Sequence, residues 1–200
     1  DILNMSACKV GTIKESINIS KNYEKVEKVI YTPLNLGTQE KQLSKEKELD
    51  QNHLYSKYYG IATHYCLEMM NDFNLSSLEY SLKLSQTRYS NYLNEDDFAS
   101  IKTRLELLLE NETFKEIIKD TQFITEQSLL YKEEIKIIDL LLFKDDTYYI
   151  IDYKTTKEEL QEHKVQVLFY KKAIKDIFNT QNVKSYLVYL KPQECLIHEV

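Results

Sequence analysis

The sequence predicts an α/β fold, because a long stretch of helical periodicity is followed by three short apolar runs and then by a further helix. Apolar residues recur at helical spacing from about residue 54 to residue 120. The next segments, 122–131, 134–143 and 147–154, are instead rich in Ile, Leu, Phe and Tyr, and a few charged residues join each to the next. This pattern is typical of an antiparallel β-meander. We therefore expect a mixed central sheet flanked by helices.

The segment 94–120 carries the clearest helical signals. Asn94 can cap its first turn, acidic residues follow, and an apolar stripe then runs along one face, formed by Phe98, Ile101, Leu105, Leu108 and Leu109. The tetrapeptide Asn-Glu-Thr-Phe at 111–114 should break this segment into two helices.

Another long helix and a last strand are predicted after the meander. The helix should run from about Glu158 to Phe178, with an apolar stripe formed by Val165, Phe169, Ala173, Ile174 and Ile177. The strand, at 184–190, should end before Pro192, because proline cannot donate to a ladder of hydrogen bonds.

The first 53 residues have a different character, and we assign them to an N-terminal appendage or linker, with the main domain at 54–200. Segments 9–19 and 24–36 have weak strand character, whereas 37–52 is polar and resembles an exposed connection. The chain opens with Asp1 rather than methionine, so we expect it to be part of a longer protein.

Composition excludes several classes of protein. The chain is 42% hydrophobic and 29% charged, and no apolar run approaches the roughly 20 residues of a transmembrane helix, so we expect no membrane association. Its cysteines, Cys8, Cys66 and Cys195, are odd in number and far apart. They indicate a reducing compartment, such as the cytoplasm, and are too few for a four-cysteine iron–sulfur cluster within this chain.

The net charge of −6 argues against tight, independent binding to nucleic acid, since neutralisation of phosphates dominates such affinity. The negative charge does not exclude an acidic metal site that acts on nucleic acid delivered by other domains of a larger protein.

Three carboxylates are predicted to lie side by side across the meander. If Lys132–Glu133 and Asp145–Asp146 are two-residue hairpin loops, then Glu126 lies opposite Asp139, and Asp139 lies opposite Asp152. Neither loop contains the glycine that such turns prefer, and a longer loop would displace the row.

The predicted row would be costly without a bound ligand. Asp139 should share its face with the apolar residues Ile135, Ile137, Leu141 and Phe143. Carboxylates about 5 Å apart on adjacent strands repel each other, and a shared proton or a bound cation is the usual resolution. Hard oxygen ligands suit Mg²⁺ or Mn²⁺. Lys154 lies on the same face of its strand as Asp152. The interpretation that competes with a metal site is a strand whose charged end simply lies in solvent.

Five motifs in order resemble one family of enzymes. They are Gly60–Glu68 with His64, the segment 125–129 with Glu126, Asp139 at the end of Lys-Ile-Ile-Asp, the segment 150–155 with Asp152 and Lys154, and a Gln166-x-x-x-Tyr170 helix. This order resembles the PD-(D/E)XK nuclease superfamily, and more narrowly the RecB-type nuclease domain at the C-terminus of AddA and RecB helicase–nucleases. One departure is Lys136, where that family often has glycine.

The resemblance implies a restriction-endonuclease-like core and hydrolysis of DNA that depends on Mg²⁺, with Mn²⁺ as a possible substitute. Asp139, Asp152 and the backbone carbonyl of Tyr153 would bind one or two ions, and His64 and Glu126 would add ligation. The implied catalytic residues are Glu126, Asp139, Asp152 and Lys154, the lysine acting on the attacking water.

The same resemblance implies that Gln166 and Tyr170 contact the phosphate backbone or orient Lys154. It places the chain in a bacterial helicase–nuclease of double-strand-break repair and recombination, acting as an exonuclease, with upstream helicase domains and a partner subunit. Two alternatives stay open: a non-catalytic module that binds nucleic acid or another subunit, and a free-standing single-strand nuclease.

Overall fold

A computed structural model describes residues 51–156 and 158–200. Four helices come first, followed by three strands, one helix and two strands: α1 Gln51–Glu68, α2 Leu75–Tyr89, α3 Glu95–Glu110, α4 Glu112–Ile118, β1 Gln122–Tyr131, β2 Glu134–Lys144, β3 Thr147–Lys154, α5 Gln161–Phe178, β4 Val183–Leu190 and β5 Cys195–Glu199. The predicted appendage at 1–53, with its two weak strand segments, lies outside the described residues except for positions 51–53, which open α1.

The five strands form one mixed sheet in the order β1-β2-β3-β4-β5. The first three strands pair antiparallel, which confirms the predicted meander. Strand β4 pairs parallel with β3, and α5 provides the crossover that a parallel pair requires. Strand β5, which pairs antiparallel with β4, was not predicted because it is short and only half-buried.

The predicted register of the meander is confirmed. Tyr131 pairs with Glu134, and Lys144 pairs with Thr147, so both hairpin loops contain two residues. All four loop residues adopt left-handed backbone angles, with φ of 49° and 64° in the first loop and 48° and 55° in the second. These are the angles of a type I′ turn, whose twist matches that of the strands, although neither loop contains glycine.

Apolar side chains pack on both faces of the sheet. On one face, Leu140 and Ile151 pack in a large core with residues of α1, α2, α3 and α4. On the other, Leu141 and Ile150 pack with three buried residues of α5, namely Tyr170, Ala173 and Ile174.

The buried side of α5 differs from the predicted stripe. Val165 and Ile177 were expected to be buried, but their side chains are 61% and 48% exposed. Val167 and Tyr170 are buried instead, because the helix turns Gln166 and Tyr170 towards the end of β3. The helix also starts at Gln161 rather than near Glu158.

Two predicted helix ends are confirmed. The side chain of Asn94 accepts a hydrogen bond from the Asp97 backbone N–H, and the Asp97 carboxylate accepts one from the Asn94 N–H, which forms a capping box. The predicted break at 111–114 is also confirmed: Asn111 ends α3 and caps α4. In the part of the chain that the structure describes, no helix is both long and apolar enough to span a membrane.

Candidate active site

Three side chains from three different elements converge near the C-terminal end of β3. Helix α1 supplies His64, β1 supplies Glu126 and β2 supplies Asp139, and one potential ligand atom from each lies within 4.8 Å of the other two. The closest contact joins His64 Nδ1 and Asp139 Oδ1 at 3.5 Å. The side chains of His64 and Asp139 are 17% and 11% exposed, so the group is recessed but accessible.

Glu126 has an unusual backbone conformation for a strand residue. Its neighbours pair in register with β2, as Thr125 with Leu140 and Gln127 with Ile138, which puts Glu126 opposite Asp139. Glu126 itself has a left-handed φ of 49° and interrupts the ladder. Left-handed conformations of residues other than glycine cost free energy and cluster at functional sites, where the surrounding structure holds them in place.

Opposite this interruption, the side chains of β2 do not alternate regularly between the two faces of the sheet. Simple alternation predicted that Ile137 and Leu141 lie on one face with Asp139. Instead, Ile138 is fully buried in the same apolar cluster as Leu141, three residues further along. Strict alternation therefore fails around Asp139, where the opposing residue leaves the regular strand conformation.

Both carboxylate oxygens of Asp139 have close neighbours. Oδ2 accepts a 2.7 Å hydrogen bond from the backbone N–H of Tyr153, while Oδ1 faces His64. Burial by itself raises the pKa of Asp139, but His64 and the Tyr153 N–H outweigh it and hold that pKa below its ordinary value. Burial likewise lowers the pKa of His64, but the charge of Asp139, its hydrogen bond and the charge of Asp152 together raise it above its ordinary value. Asp139 is therefore held as a carboxylate.

Asp152 lies beside this group without being one of its three members. Its side chain is 1% exposed, and Oδ2 lies 2.7 Å from Lys154 Nζ. Burial, and then the negative charge of Asp139, raise the pKa of Asp152 to about 6, although Lys154 acts in the opposite direction. Among the described residues, Oδ1 of Asp152 is buried without a hydrogen-bond partner. A buried oxygen of this kind calls for a proton or a cation.

A chain of hydrogen bonds holds Lys154 from the other side. Its Nζ donates to Oε1 of Gln166 at 3.0 Å, and Nε2 of Gln166 donates to the Tyr170 hydroxyl at 2.7 Å. Gln166 and Tyr170 are one turn apart on α5 and so share a face. Since Tyr170 is only 1% exposed, the lysine amine is held between Asp152 and an anchored glutamine.

The electrostatics of the site disfavour full ionisation of its acids. Burial, and then the negative charge of Asp139, raise the pKa of Glu126 to about 7. With Asp152 also raised, the protein without metal holds protons here near neutral pH. A cation would replace those protons, which is the resolution expected for neighbouring carboxylates.

The structure brings together every residue that the sequence indicated, in two adjoining sets. His64, Glu126 and Asp139 form one set, and Lys154 bonds both Asp152 and Gln166 in the other. Two features were missed: the left-handed Glu126 and the Tyr153 N–H that holds Asp139. Both depend on strands that meet only in the folded protein. Ligation by the Tyr153 carbonyl stays a prediction.

Comparison with known proteins identifies one family. The model of the PD-(D/E)XK nuclease superfamily matches residues 36–198. A solved crystal structure of the protein SSO0001 is 16% identical, with a TM-score of 0.33, and the alignment covers 70% of this chain and 65% of that one. No curated protein matches the sequence. The match of the family model over most of the chain establishes that this protein belongs to the PD-(D/E)XK nuclease superfamily.

Proposed function

We propose that this chain is a metal-dependent nuclease that hydrolyses phosphodiester bonds in DNA. The observation that carries the proposal is the convergence of His64, Glu126 and Asp139 beside the ion pair of Asp152 and Lys154. Charged groups of both signs lie in a recess, where burying each of them costs free energy. A catalytic role in a reaction at a charged phosphate would explain why the protein has them at this position.

The donor set fits a divalent cation. One imidazole and two carboxylates lie close enough to share an ion, and a buried oxygen of Asp152 next to them lacks a partner among the described residues. Oxygen-rich sites of this kind suit Mg²⁺ or Mn²⁺. We assign His64, Glu126, Asp139 and Asp152 as side-chain ligands, with the carbonyl of Tyr153 as a further one. When bound, such a cation offsets charge at the phosphate and lowers the pKa of a coordinated water.

Lys154 is the residue that we assign to the attacking water. Its amine, held by Asp152 and Gln166, can position that water, accept its proton or stabilise the negative charge that develops at phosphorus. Gln166 fixes the direction of the amine, and Tyr170 fixes Gln166. In this assignment Gln166 and Tyr170 are positioning residues, and contact with the DNA backbone is a second role open to them.

We further propose that the chain is the exonuclease domain of a bacterial helicase–nuclease of the RecB or AddA type, acting in repair and recombination in the cytoplasm. The order of its five motifs and its net charge of −6 support this context. An acidic domain attracts DNA weakly, so helicase domains and a partner subunit would deliver the strand.

The test is cleavage of labelled linear DNA, single-stranded and duplex, in Mg²⁺, in Mn²⁺ and in EDTA. The protein should cleave in either metal and not in EDTA, and Asp139→Asn should be inactive. Asp145→Asn is the matched control, because Asp145 is exposed in a hairpin loop whose left-handed conformation asparagine tolerates. A parent protein that cleaves neither substrate in either metal would refute the proposal.

One observation favours a second candidate, a non-catalytic module that binds nucleic acid or another subunit. Lys154 is already paired with Asp152 at 2.7 Å, as it would be if the pair only stabilised the fold. Calorimetry with Mn²⁺ separates the two candidates. Binding that is lost in Asp139→Asn supports the nuclease, and absence of binding supports the module.

A further inference from the structure

A cleft of about 740 Å³ adjoins the candidate active site. It is lined from the start of α1, the first half of α3 and the segment that follows β3, with Tyr55, Tyr59, Ser100, Arg104 and Thr155 among its residues. The volume lies in the usual range of small-ligand sites. None of these five residues belongs to the assigned machinery of hydrolysis.

Chain connections fix the distance between the cleft and the site. Thr155 directly follows Lys154, and Tyr59 precedes His64 by five residues of α1, or about 7.5 Å along the helix axis. Helix α1 also approaches the end of β3 closely, since a Cβ atom added at Gly60 would lie 3.4 Å from Oγ1 of Thr155. Tyr55 precedes His64 by nine residues, about 13.5 Å along the helix axis, so the cleft starts beside Lys154 and extends away from the group formed by His64, Glu126 and Asp139.

Two tyrosine rings in the cleft are held by their hydroxyls. The Tyr55 hydroxyl donates a 2.6 Å hydrogen bond to Oδ1 of Asp97, and the Tyr59 hydroxyl bonds Oγ of Ser100 at 2.9 Å. The ring centroids are 6.2 Å apart, and Tyr55 is 45% exposed whereas Tyr59 is buried. With their hydroxyls occupied, the rings offer apolar surface to a ligand, and Tyr55 offers the most.

Arg104 lines the cleft and is itself held in place. Its guanidinium carbon lies 4.9 Å from the centre of the Tyr59 ring, and Nη1 donates a 2.7 Å hydrogen bond to the Leu190 carbonyl. Its Nε–H is buried and has no partner in the described part of the chain.

The charge of the lining fits a base better than a phosphate. Arg104 is matched by Glu158, and the other lining side chains are hydroxyls, aromatic rings, one histidine and one leucine. A phosphate site would show a surplus of cations. Aromatic stacking with a few polar groups is instead how proteins hold unpaired bases.

We infer that this cleft holds one nucleobase of the strand being cut, stacked on Tyr55, at a fixed short distance along the strand from the scissile phosphate. The inference rests on the proposed nuclease function and extends it by naming the substrate as an unpaired strand. A base inside a duplex is stacked on both faces and paired on its edge, so it reaches the cleft only from a single strand or an opened end.

The experiment uses single-stranded oligonucleotides with one abasic site, and cleavage at each bond is quantified on a sequencing gel. Loss of the base should suppress cleavage of one bond, at a fixed offset from the abasic site, by about 5- to 100-fold, as expected for one lost base stack. Tyr55→Ala should remove this suppression, so that all bonds are cut alike. Tyr55→Phe should retain the suppression, because phenylalanine keeps the aromatic ring. Both variants lose the hydrogen bond to Asp97, so a difference between them reports the ring alone. Tyr80→Ala, at an exposed tyrosine of α2, is the control for loss of an exposed ring.

A second readout does not need cleavage. An oligonucleotide carrying 2-aminopurine, bound in Ca²⁺, should lose fluorescence on stacking with the parent protein and with Tyr55→Phe, but not with Tyr55→Ala. Quenching without cleavage would refute the proposed nuclease and keep the base site. The base site would be overturned if Tyr55→Ala showed the same suppression at the abasic site as the parent protein. It would also be overturned if the fluorescence quenching did not depend on Tyr55.

Discussion

The Tyr153 backbone N–H donates a 2.7 Å hydrogen bond to Oδ2 of Asp139, so the main chain of β3 orients a carboxylate of β2. Oδ1 of the same carboxylate is thereby directed towards His64, at 3.5 Å from Nδ1. A ligand held by backbone is set in place by the sheet itself and needs no rearrangement when a cation binds.

Substitution of Asp139 separates this structural contact from the chemistry. Asp139→Asn retains an acceptor for the Tyr153 N–H and removes the charge, so cleavage should fall more than about 100-fold with little change in stability. Asp139→Ala should be equally inactive but also less stable by about 1–3 kcal/mol, because a buried N–H loses its acceptor. Urea unfolding in EDTA measures the difference, and equal stability of the two variants would show that the hydrogen bond contributes nothing.

Asp152 should be dispensable for folding and required for activity. Burial and the charge of Asp139 both disfavour its ionised form, as its pKa of about 6 indicates. Asp152→Asn should therefore leave the melting temperature in EDTA unchanged or higher at about pH 8, and it should abolish cleavage. A large fall in melting temperature without metal would instead mean that its pair with Lys154 is structural.

Much of the site was predictable because it follows from local rules. Two short loops set the register that aligns Glu126, Asp139 and Asp152, and the alternation of side chains then puts Lys154 on the face of Asp152. The cap at Asn94 and the helix break at 111–114 were recognisable for the same reason, since helix ends depend on a few neighbouring residues.

The misses depend on tertiary packing. The helical stretch from about residue 54 was predicted without separate bounds for α2, because Ser81 and Ser85 take core positions on its buried side, which hides the apolar stripe. The face of α5 was wrong because Val165 is as hydrophobic as Val167, and only the contacts of Gln166 and Tyr170 select between them. The left-handed Glu126 has no sequence signal, since glutamate rarely adopts that conformation.

Glu126 should make the stability of the protein without metal depend on pH. Its folded-state pKa of about 7 lies above the usual 4.5, so between these values the folded protein binds a proton that the unfolded chain does not. The stabilisation from this proton is complete below about pH 4.5 and is lost as pH rises towards 7.

The free energy of unfolding in EDTA should therefore fall between about pH 5 and pH 7.5, with Glu126 contributing about 1–2 kcal/mol after allowance for its partial exposure. Glu126→Gln should flatten the profile by that amount. His64 and Asp152, with raised pKa values, and His163, with a lowered one, also titrate near this range in both proteins. The difference between the two profiles therefore reports Glu126 together with its charge interactions with His64 and Asp152. Parallel profiles for the two proteins would contradict the prediction.

The role of Lys154 can be separated from binding by kinetics. If its amine acts mainly in the transition state, Lys154→Gln should lower single-turnover cleavage by about 10²- to 10³-fold with little change in affinity for DNA. DNA affinity is measured in Ca²⁺ at low salt, because an acidic domain binds DNA weakly. Lys154→Arg should rescue poorly: the guanidinium keeps the charge, but it is planar, larger and never deprotonated at working pH.

Gln166 supplies the matched test, since it touches the lysine and not, in this assignment, the phosphate. Gln166→Leu should lower turnover by about tenfold through a misplaced amine, and Gln166→Glu should retain an acceptor for Nζ and lose less. Neither should change DNA affinity if the residue only positions Lys154, whereas a matching loss of affinity would assign Gln166 to the DNA backbone. A Lys154→Gln variant that cleaves bound DNA at the parent rate would remove the lysine from the mechanism and leave its pair with Asp152 as a structural contact.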